Sequence, residues 1–219
     1  MTVDLFITRC LHCLIVLGAV CVGADCSIAY AQNADKRPLG VVFAEALSGY
    51  KQPGGVVVVE NSCGEPSVFA APLPSGSYLN ASLDSIARAN PGYRLVRGEA
   101  TNFIPLNALP PFLNARVNNY SVDSDKDAEA SFAELLELPE LTRSVDEAGL
   151  KKWPMQIAIG ASRPLPKAAG ARHVKYMSGV SVLEVLNQVA VQQRIVWAYV
   201  EYTCDGKPRG SLRIAGTDL

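Results

Sequence analysis

Residues able to carry out nucleophilic chemistry are few in this chain. Histidine occurs only at His12 and His173. A hydrolase built on His173 would need a nucleophile, such as Cys63 or Cys204, and an acid that orients the imidazole. Neither cysteine lies in the glycine-bounded turn between a strand and a helix that exposes such a nucleophile. We therefore interpret His173 as a half-exposed strand residue and predict that the chain is not an enzyme.

Metal and phosphate sites are equally poorly supported. The acidic stretch Asp123–Asp127 lacks the following glycine and the distant glutamate of an EF-hand calcium loop, and helix capping explains it more simply. No C-x-x-C or H-x-x-x-H spacing occurs after residue 31. The pair Gly54-Gly55 precedes a predicted strand rather than a helix, which is the wrong order for a phosphate loop. We expect no cofactor.

The N-terminal segment is typical of a secretory signal peptide. The apolar run Cys13–Ala24 is too short to cross a bilayer comfortably, and Ala29-Tyr30-Ala31 is a small-x-small cleavage motif. We therefore predict cleavage near Ala31 and a periplasmic or secreted location.

The predicted export places the cysteines that remain after cleavage in a compartment where disulfides can form. Four of the six cysteines precede Ala31, which leaves Cys63 and Cys204. Each follows a strand-like run, so both could lie at one end of a sheet. The sequence predicts a disulfide between them, and the alternative is two separate thiols.

Charge argues against several classes of partner. Cleavage after Ala31 removes one of the 20 basic and two of the 21 acidic residues, so the mature chain is neutral. A neutral chain without a basic cluster does not suit nucleic acid or an anionic membrane surface. No second long apolar run occurs, so we expect that the mature chain does not span a membrane.

The clearest structural pattern lies between residues 178 and 214. Ser181 and Glu184 form a capping box that predicts the start of a helix. The alternating β-branched and aromatic residues of Ile195–Cys204 predict a strand. Asp205-Gly206 predicts a hairpin turn, and Ser211–Ile214 the returning strand.

Weaker patterns predict the remaining elements. They are a helix at Val41–Tyr50, a buried strand at Val56–Glu60, a helix at Leu79–Ala89, a hairpin of Tyr93–Arg97 and Thr101–Pro105, a strand at Leu113–Val122, a helix capped by Ser124 and interrupted at Pro139, a second helical piece at Glu140–Ala148, a loop at Ile157–Gly170 and a strand at Arg172–Met177.

The chain also shows a weak internal repeat. When Ser75 is aligned with Ser178, Leu83 meets Leu186 and Ala87 meets Ala190. This predicts two similar α+β lobes or one pseudo-symmetric domain. The alternative is that two amphipathic helices share their spacing by chance.

The segment S-G-V-S-V-L-E-V-L-N-Q-V-A, residues 178–190, followed by a strand, is similar to the short N-terminal domain shared by secretins and TonB-dependent receptors. Val182, Val185 and Leu186 occupy apolar helix positions of that domain. The first copy, with Leu83 and Ile86, resembles it more weakly. Because no barrel or secretin region follows, the resemblance implies a free-standing periplasmic module, similar to small uncharacterised exported bacterial proteins with two such units.

We therefore predict an α+β fold with two small βαβ-type lobes and a helical insertion between them. The expected order is a signal peptide (1–31), a flexible tail (32–38), a first α+β lobe (39–106), a linker strand with a helical pair and a loop (107–170), and a second α+β lobe (171–219).

The aromatic strand is the predicted interaction site. Trp197, Tyr199 and Tyr202 would lie on an exposed edge strand that accepts a partner strand, and the alternative is that they face the core. We predict a non-enzymatic module that binds a periplasmic or envelope protein or peptide, as part of an envelope assembly. The alternatives are a small-ligand or cell-wall-glycan binding domain and a hydrolase that uses His173.

Overall fold

A mixed sheet of six strands forms the centre of the structure, a computed structural model that describes residues 38–60, 82–150, 155–156 and 172–215. The described strands are β1 (Gly54–Glu60), β2 (Tyr93–Val96), β3 (Thr101–Pro105), β4 (Arg116–Val117), β5 (Tyr120–Asp123), β6 (Met155–Gln156), β7 (Val174–Met177), β8 (Val180–Ser181), β9 (Val196–Cys204) and β10 (Lys207–Ala215). Across the large sheet they follow the order β2-β3-β1-β9-β10-β6, while β4 pairs with β8 and β5 with β7.

Six α-helices pack against these strands in the described part of the chain. They are α1 (Leu39–Gly49), α2 (Leu83–Arg88), α3 (Pro111–Asn114), α4 (Ala128–Leu136), α5 (Thr142–Glu147) and α6 (Val182–Gln193). A 3₁₀ turn at Pro139–Leu141 precedes α5. Helices and a mixed sheet together confirm the predicted α+β class.

Strand β1 separates two hydrophobic cores. Its alternate side chains point to opposite faces of the sheet, as the period of a strand requires. Val56 and Val58 pack with α1 and α2, where Phe43 stacks on Phe103 with ring centroids 4.2 Å apart. Val57 packs on the other face with residues of α3, α4, α5 and α6. The valine run therefore forms a strand buried on both sides, as the sequence predicts.

The strongest local signals are confirmed. The Ser181 backbone N–H donates to Glu184 Oε2 at 2.7 Å, and the Glu184 N–H donates to Ser181 Oγ at 3.3 Å, so the capping box begins α6. Asp205 and Gly206 both have positive φ angles, 52° and 73°. Both angles suit the two-residue turn that joins β9 to β10.

The strands of the two predicted lobes lie side by side in one sheet. Strand β1 pairs with β9 in parallel, with Gly54 opposite Val196 and Glu60 opposite Tyr202. Residues 38–219 form one compact unit. Strands β2 and β3 lie on one side of this pair, and β10 and β6 lie on the other.

Two predicted elements differ from the structure. The expected strand Leu113–Val122 is divided into helix α3 and the short strands β4 and β5. Pro111 occupies the first turn of α3, where a missing N–H costs nothing. The helix predicted to be capped by Ser124 begins at Ala128 and is capped by Asp127, whose carboxylate accepts from the Ala130 N–H at 2.7 Å.

Smaller differences concern element boundaries. Helix α2 starts at Leu83 behind the cap Ser82, rather than at Leu79. Strand β7 starts at Val174, two residues later than predicted. The predicted signal peptide, nearly all of the tail and the loop Ile157–Gly170 lie outside the described residues.

Candidate functional site

The predicted interaction strand lies inside the sheet, so the expectation of an exposed edge there is wrong. Strand β9 is hydrogen-bonded to β1 on one side and β10 on the other. Trp197 and Tyr199 are fully buried, and Tyr202 is half-buried. Burial, followed by the bond from the Tyr199 hydroxyl to Glu201, raises the pKa of Tyr199. Trp197 and Tyr199 are core residues, which confirms the alternative that they face the core, whereas Tyr202 belongs to neither core.

The sequence-selected polar residues have structural partners. The backbone N–H of His173 donates to Ser124 Oγ at 2.9 Å. The Asp123 carboxylate accepts three bonds from the Arg172 guanidinium, between 2.5 and 3.2 Å. In the part of the chain that the structure describes, no three histidine, cysteine or acidic side chains converge on one point.

Cys204 lies at the end of β9, is 8% exposed and is disulfide-bonded. Cys63 lies outside the described residues, so its pairing with Cys204 stays a prediction.

Strand β2 is one of the two edge strands of the large sheet in the described residues; the other, β6, has only two residues. Among the described strands, only β3 is hydrogen-bonded to it. The Leu106 N–H donates to the Gly92 carbonyl, which by the alternation of an antiparallel ladder directs the backbone groups of Arg94 and Val96 towards β3. The N–H and C=O of Leu95 therefore point away from the sheet, where an added strand would bond to them.

Apolar side chains lie on the sheet face beside this edge. Val59, Val96 and Leu106 are 36%, 39% and 54% exposed. Strand alternation places all three on the face that carries Ile104, and we call them the edge patch. They are three of the five large hydrophobic residues exposed in the described chain. Val96 is on β2 itself, Leu106 follows β3, and Val59 is on β1, so the edge patch extends inward from the edge across three strands.

An unpaired cation completes this surface. Arg94 lies opposite Ile104 and is exposed on the same face as the edge patch. In the described part of the chain it forms no ion pair. Arg97, by contrast, donates to both carboxylate oxygens of Asp84, at 3.0 and 2.7 Å. The guanidinium of Arg94 thus remains available to an external carboxylate.

A second distinct feature is a two-stranded ribbon. Strands β4 and β5 pair with β8 and β7 in one common antiparallel register, so residues 116–123 and 174–181 form a single ribbon. The ladder is interrupted at two positions, where this register sets Asn118 opposite Gly179 and Asn119 opposite Ser178. Gly179 has a φ of +68°, a conformation that side-chain-bearing residues rarely adopt.

Two charged side chains replace the ladder bonds lost at the interruption. The Arg116 guanidinium donates to the Gly179 carbonyl at 2.7 Å, and the Asn118 N–H donates to Glu140 Oε1 at 3.2 Å. Hydrogen bonds from backbone N–H groups, its own first and then those of Asn118 and Asn119, lower the pKa of Glu140. The Gly179 carbonyl and the Asn118 N–H therefore both have hydrogen-bond partners, although they are not paired with the opposite strand.

A cavity of about 410 Å³ opens at this interruption, and we call it the ribbon cavity. Tyr176 stands beside it with 84% of its surface exposed. Inside, the Tyr120 hydroxyl donates to the Ser131 carbonyl at 2.5 Å. The cavity is lined by Asn119, Tyr120, Ser121, Tyr176, Met177 and Ser178.

Neither surface was predicted from the sequence as a site. The signals that could have indicated them are local: a short strand with Arg94 between glycine-bounded turns, and the pair Ser178-Gly179 inside an otherwise regular strand.

Comparison with known proteins leaves the resemblance to the secretin and TonB-receptor domain as a prediction. No known protein family, curated protein or solved structure matches the chain. The helices of the described residues include none that is both long enough and apolar enough to cross a membrane.

Proposed function

We propose that the chain is a non-enzymatic protein that binds another protein by adding an extended segment of its partner to strand β2. The observation that carries the proposal is the free edge at Leu95 beside the exposed edge patch. Addition of a strand satisfies the outward N–H and C=O of Leu95, and alternate side chains of the added strand pack against Val96, the member of the edge patch on β2 itself.

The surface also indicates the chemistry of the partner segment. Apolar side chains at alternate positions would cover Val96 and the neighbouring edge patch. An acidic residue in the same segment would meet the Arg94 guanidinium, which has no ion pair in the described residues. We therefore propose an extended apolar segment with at least one Asp or Glu as the occupant.

The predicted signal peptide sets the compartment of this function. An exported chain meets periplasmic, envelope or extracellular proteins, so we propose that the partner is one of these and that the complex belongs to an envelope assembly. A disulfide, if Cys63 and Cys204 form one, would persist in that compartment.

Peptide selection tests this proposal without knowledge of the natural partner. A phage-displayed library of random peptides is selected on the purified full chain, and the affinity of the enriched peptide is measured by calorimetry. We expect alternating apolar residues with an acidic residue among the enriched sequences. Binding should protect the Leu95 amide from hydrogen exchange.

Two variants address the edge directly. Leu95→Pro removes an outward-facing N–H, a change that edge strands accommodate, and also part of the packing of a partly buried side chain. Val96→Lys keeps the backbone and places a charge in the edge patch. Each should weaken peptide binding by about tenfold or more. Tyr176→Ala, on the ribbon, is the matched control and should bind as the unaltered chain does. Equal affinity in all three variants would contradict the proposal.

A further inference from the structure

The ribbon cavity has a lining that suits an uncharged ligand. None of its side chains carries a charge at neutral pH: the six residues supply two phenols, two hydroxyls, one amide and one thioether. Burial, more than any other influence, raises the pKa of Tyr120, which keeps that phenol neutral. None of these six side chains would supply a countercharge to an ion that lost its water here.

The polar groups of the cavity match a ligand rich in hydroxyl groups. Ser121 and Ser178 each offer a donor and an acceptor, and the Asn119 amide offers both from separate atoms. A sugar hydroxyl is likewise both donor and acceptor, so it can bond to any of the three. Specific pockets commonly combine a few such polar groups with an apolar wall.

Tyr176 supplies that apolar wall. Its ring is 84% exposed, more than any other large hydrophobic residue in the described chain. The C–H face of a sugar ring can stack on an aromatic ring and leave its hydroxyl groups free at the rim. A stacked sugar would thus cover the Tyr176 ring and still reach the hydroxyls and amide of the cavity.

The cavity lies where the two strands of the ribbon do not pair with each other. Arg116 bonds across the interruption to the Gly179 carbonyl, and Glu140 accepts from the Asn118 N–H, so both of these backbone groups have side-chain partners. A ligand does not have to break ladder bonds between the strands, which lowers the ordering cost of binding. Its volume of about 410 Å³ lies within the range of small-molecule sites.

We propose that the ribbon cavity binds an uncharged saccharide, which stacks on Tyr176 and bonds through its hydroxyl groups to Asn119, Ser121 and Ser178. The proposal is independent of strand addition at β2, because the two surfaces share no residue.

Titration of the purified full chain with N,N′-diacetylchitobiose, cellobiose and maltose tests it, with calorimetry and backbone NMR as readouts. We expect saturable binding of at least one sugar, with the largest shifts at residues 119–121 and 176–178. Tyr176→Ala should weaken that binding by about tenfold or more, whereas Tyr176→Phe, which keeps the ring, should retain it. Asn119→Ala should weaken it as well.

The outcomes separate the two proposals. Val96→Lys should leave sugar binding unchanged while it weakens the selected peptide. The proposal is overturned by an absence of saturation with all three sugars up to about 10 mM, or by equal affinity in Tyr176→Ala. If the selected peptide lost affinity in Tyr176→Ala and no sugar bound, the cavity would belong to a protein partner instead.

Discussion

At residue 55 the sheet has room for a hydrogen atom only. A Cβ atom at Gly55 would lie 2.1 Å from two atoms of the Trp197 indole, because that ring lies across the neighbouring strand. Gly55→Ala should therefore lower the free energy of unfolding by about 1–3 kcal/mol through overpacking. Urea denaturation of both proteins measures this.

Gly92→Ala is the matched control for that substitution. Nothing lies within 4 Å of a Cβ at Gly92, so its unfolding free energy should stay within about 0.5 kcal/mol of the unaltered chain. Equal stability of the two variants would show that Trp197 does not pack over Gly55 as described.

The pair of Asp123 and Arg172 should make stability depend on pH. The bonds from Arg172, and then that from the Asp125 N–H, lower the pKa of Asp123 below its ordinary 3.8. A carboxyl with a lowered pKa in the folded state stabilises the fold above its ordinary pKa and loses that contribution as the pH falls below it. Asp123→Asn should therefore be less stable than the unaltered chain at pH 7, with the difference shrinking below about pH 4.

Urea denaturation at several pH values measures this difference. Arg172→Gln removes the same ion pair from the other side, so it should reproduce the pH dependence. A difference that stays constant down to pH 2 would contradict the role given to Asp123.

At the scale of elements, β1 and β9 lead towards the two cysteines. Glu60, the last residue of β1, lies opposite Tyr202. Cys63 follows Glu60 by three residues, and Cys204 follows Tyr202 by two. Three extended residues span about 10 Å at most, which keeps Cys63 within a short distance of the end of β9. We therefore expect the disulfide of Cys204 to be with Cys63.

Peptide mass mapping with and without reductant tests the pairing. We expect one linked pair that contains both cysteines and separates on reduction, with a loss of about 2–4 kcal/mol of stability. In Cys63→Ser, Cys204 should become reactive towards iodoacetamide. Free thiols at both positions in the oxidised protein would refute the pairing.

Elements set by neighbouring residues were predictable, whereas those set by distant contacts were not. The capping box of Ser181 and the Asp205-Gly206 turn act through bonds within a few residues, so the sequence alone indicates them. The alternation of Leu113–Val122 looked like one strand, but Pro111 begins a helical turn that buries Leu113 against α6 instead. The local sequence pattern favours a strand at Leu113, but its packing in the hydrophobic core favours the helical turn that the structure has.

At the scale of the whole molecule, strand order decided where partners could bind. The composition of Ile195–Cys204 predicted a strand correctly, and the Asp205-Gly206 turn predicted the returning strand on one of its sides. Nothing in that segment indicates that β1 pairs with its other side. Strand β2, which has weaker β propensity, is the free edge because the hairpin it forms with β3 ends the sheet. The candidate site therefore depends on pairings between residues far apart in sequence, which a single sequence does not reveal.

The parallel pair at the centre of the sheet also has a kinetic consequence. It joins residues 54–60 to residues 196–202, and a chain must close that long loop before the contacts can form. During synthesis, β1 is made long before β9, its parallel neighbour. The central sheet therefore stays incomplete until β9 has been made. If the chain is exported, as its N-terminal segment predicts, we expect this order of strands to delay completion of the sheet until β9 has been made.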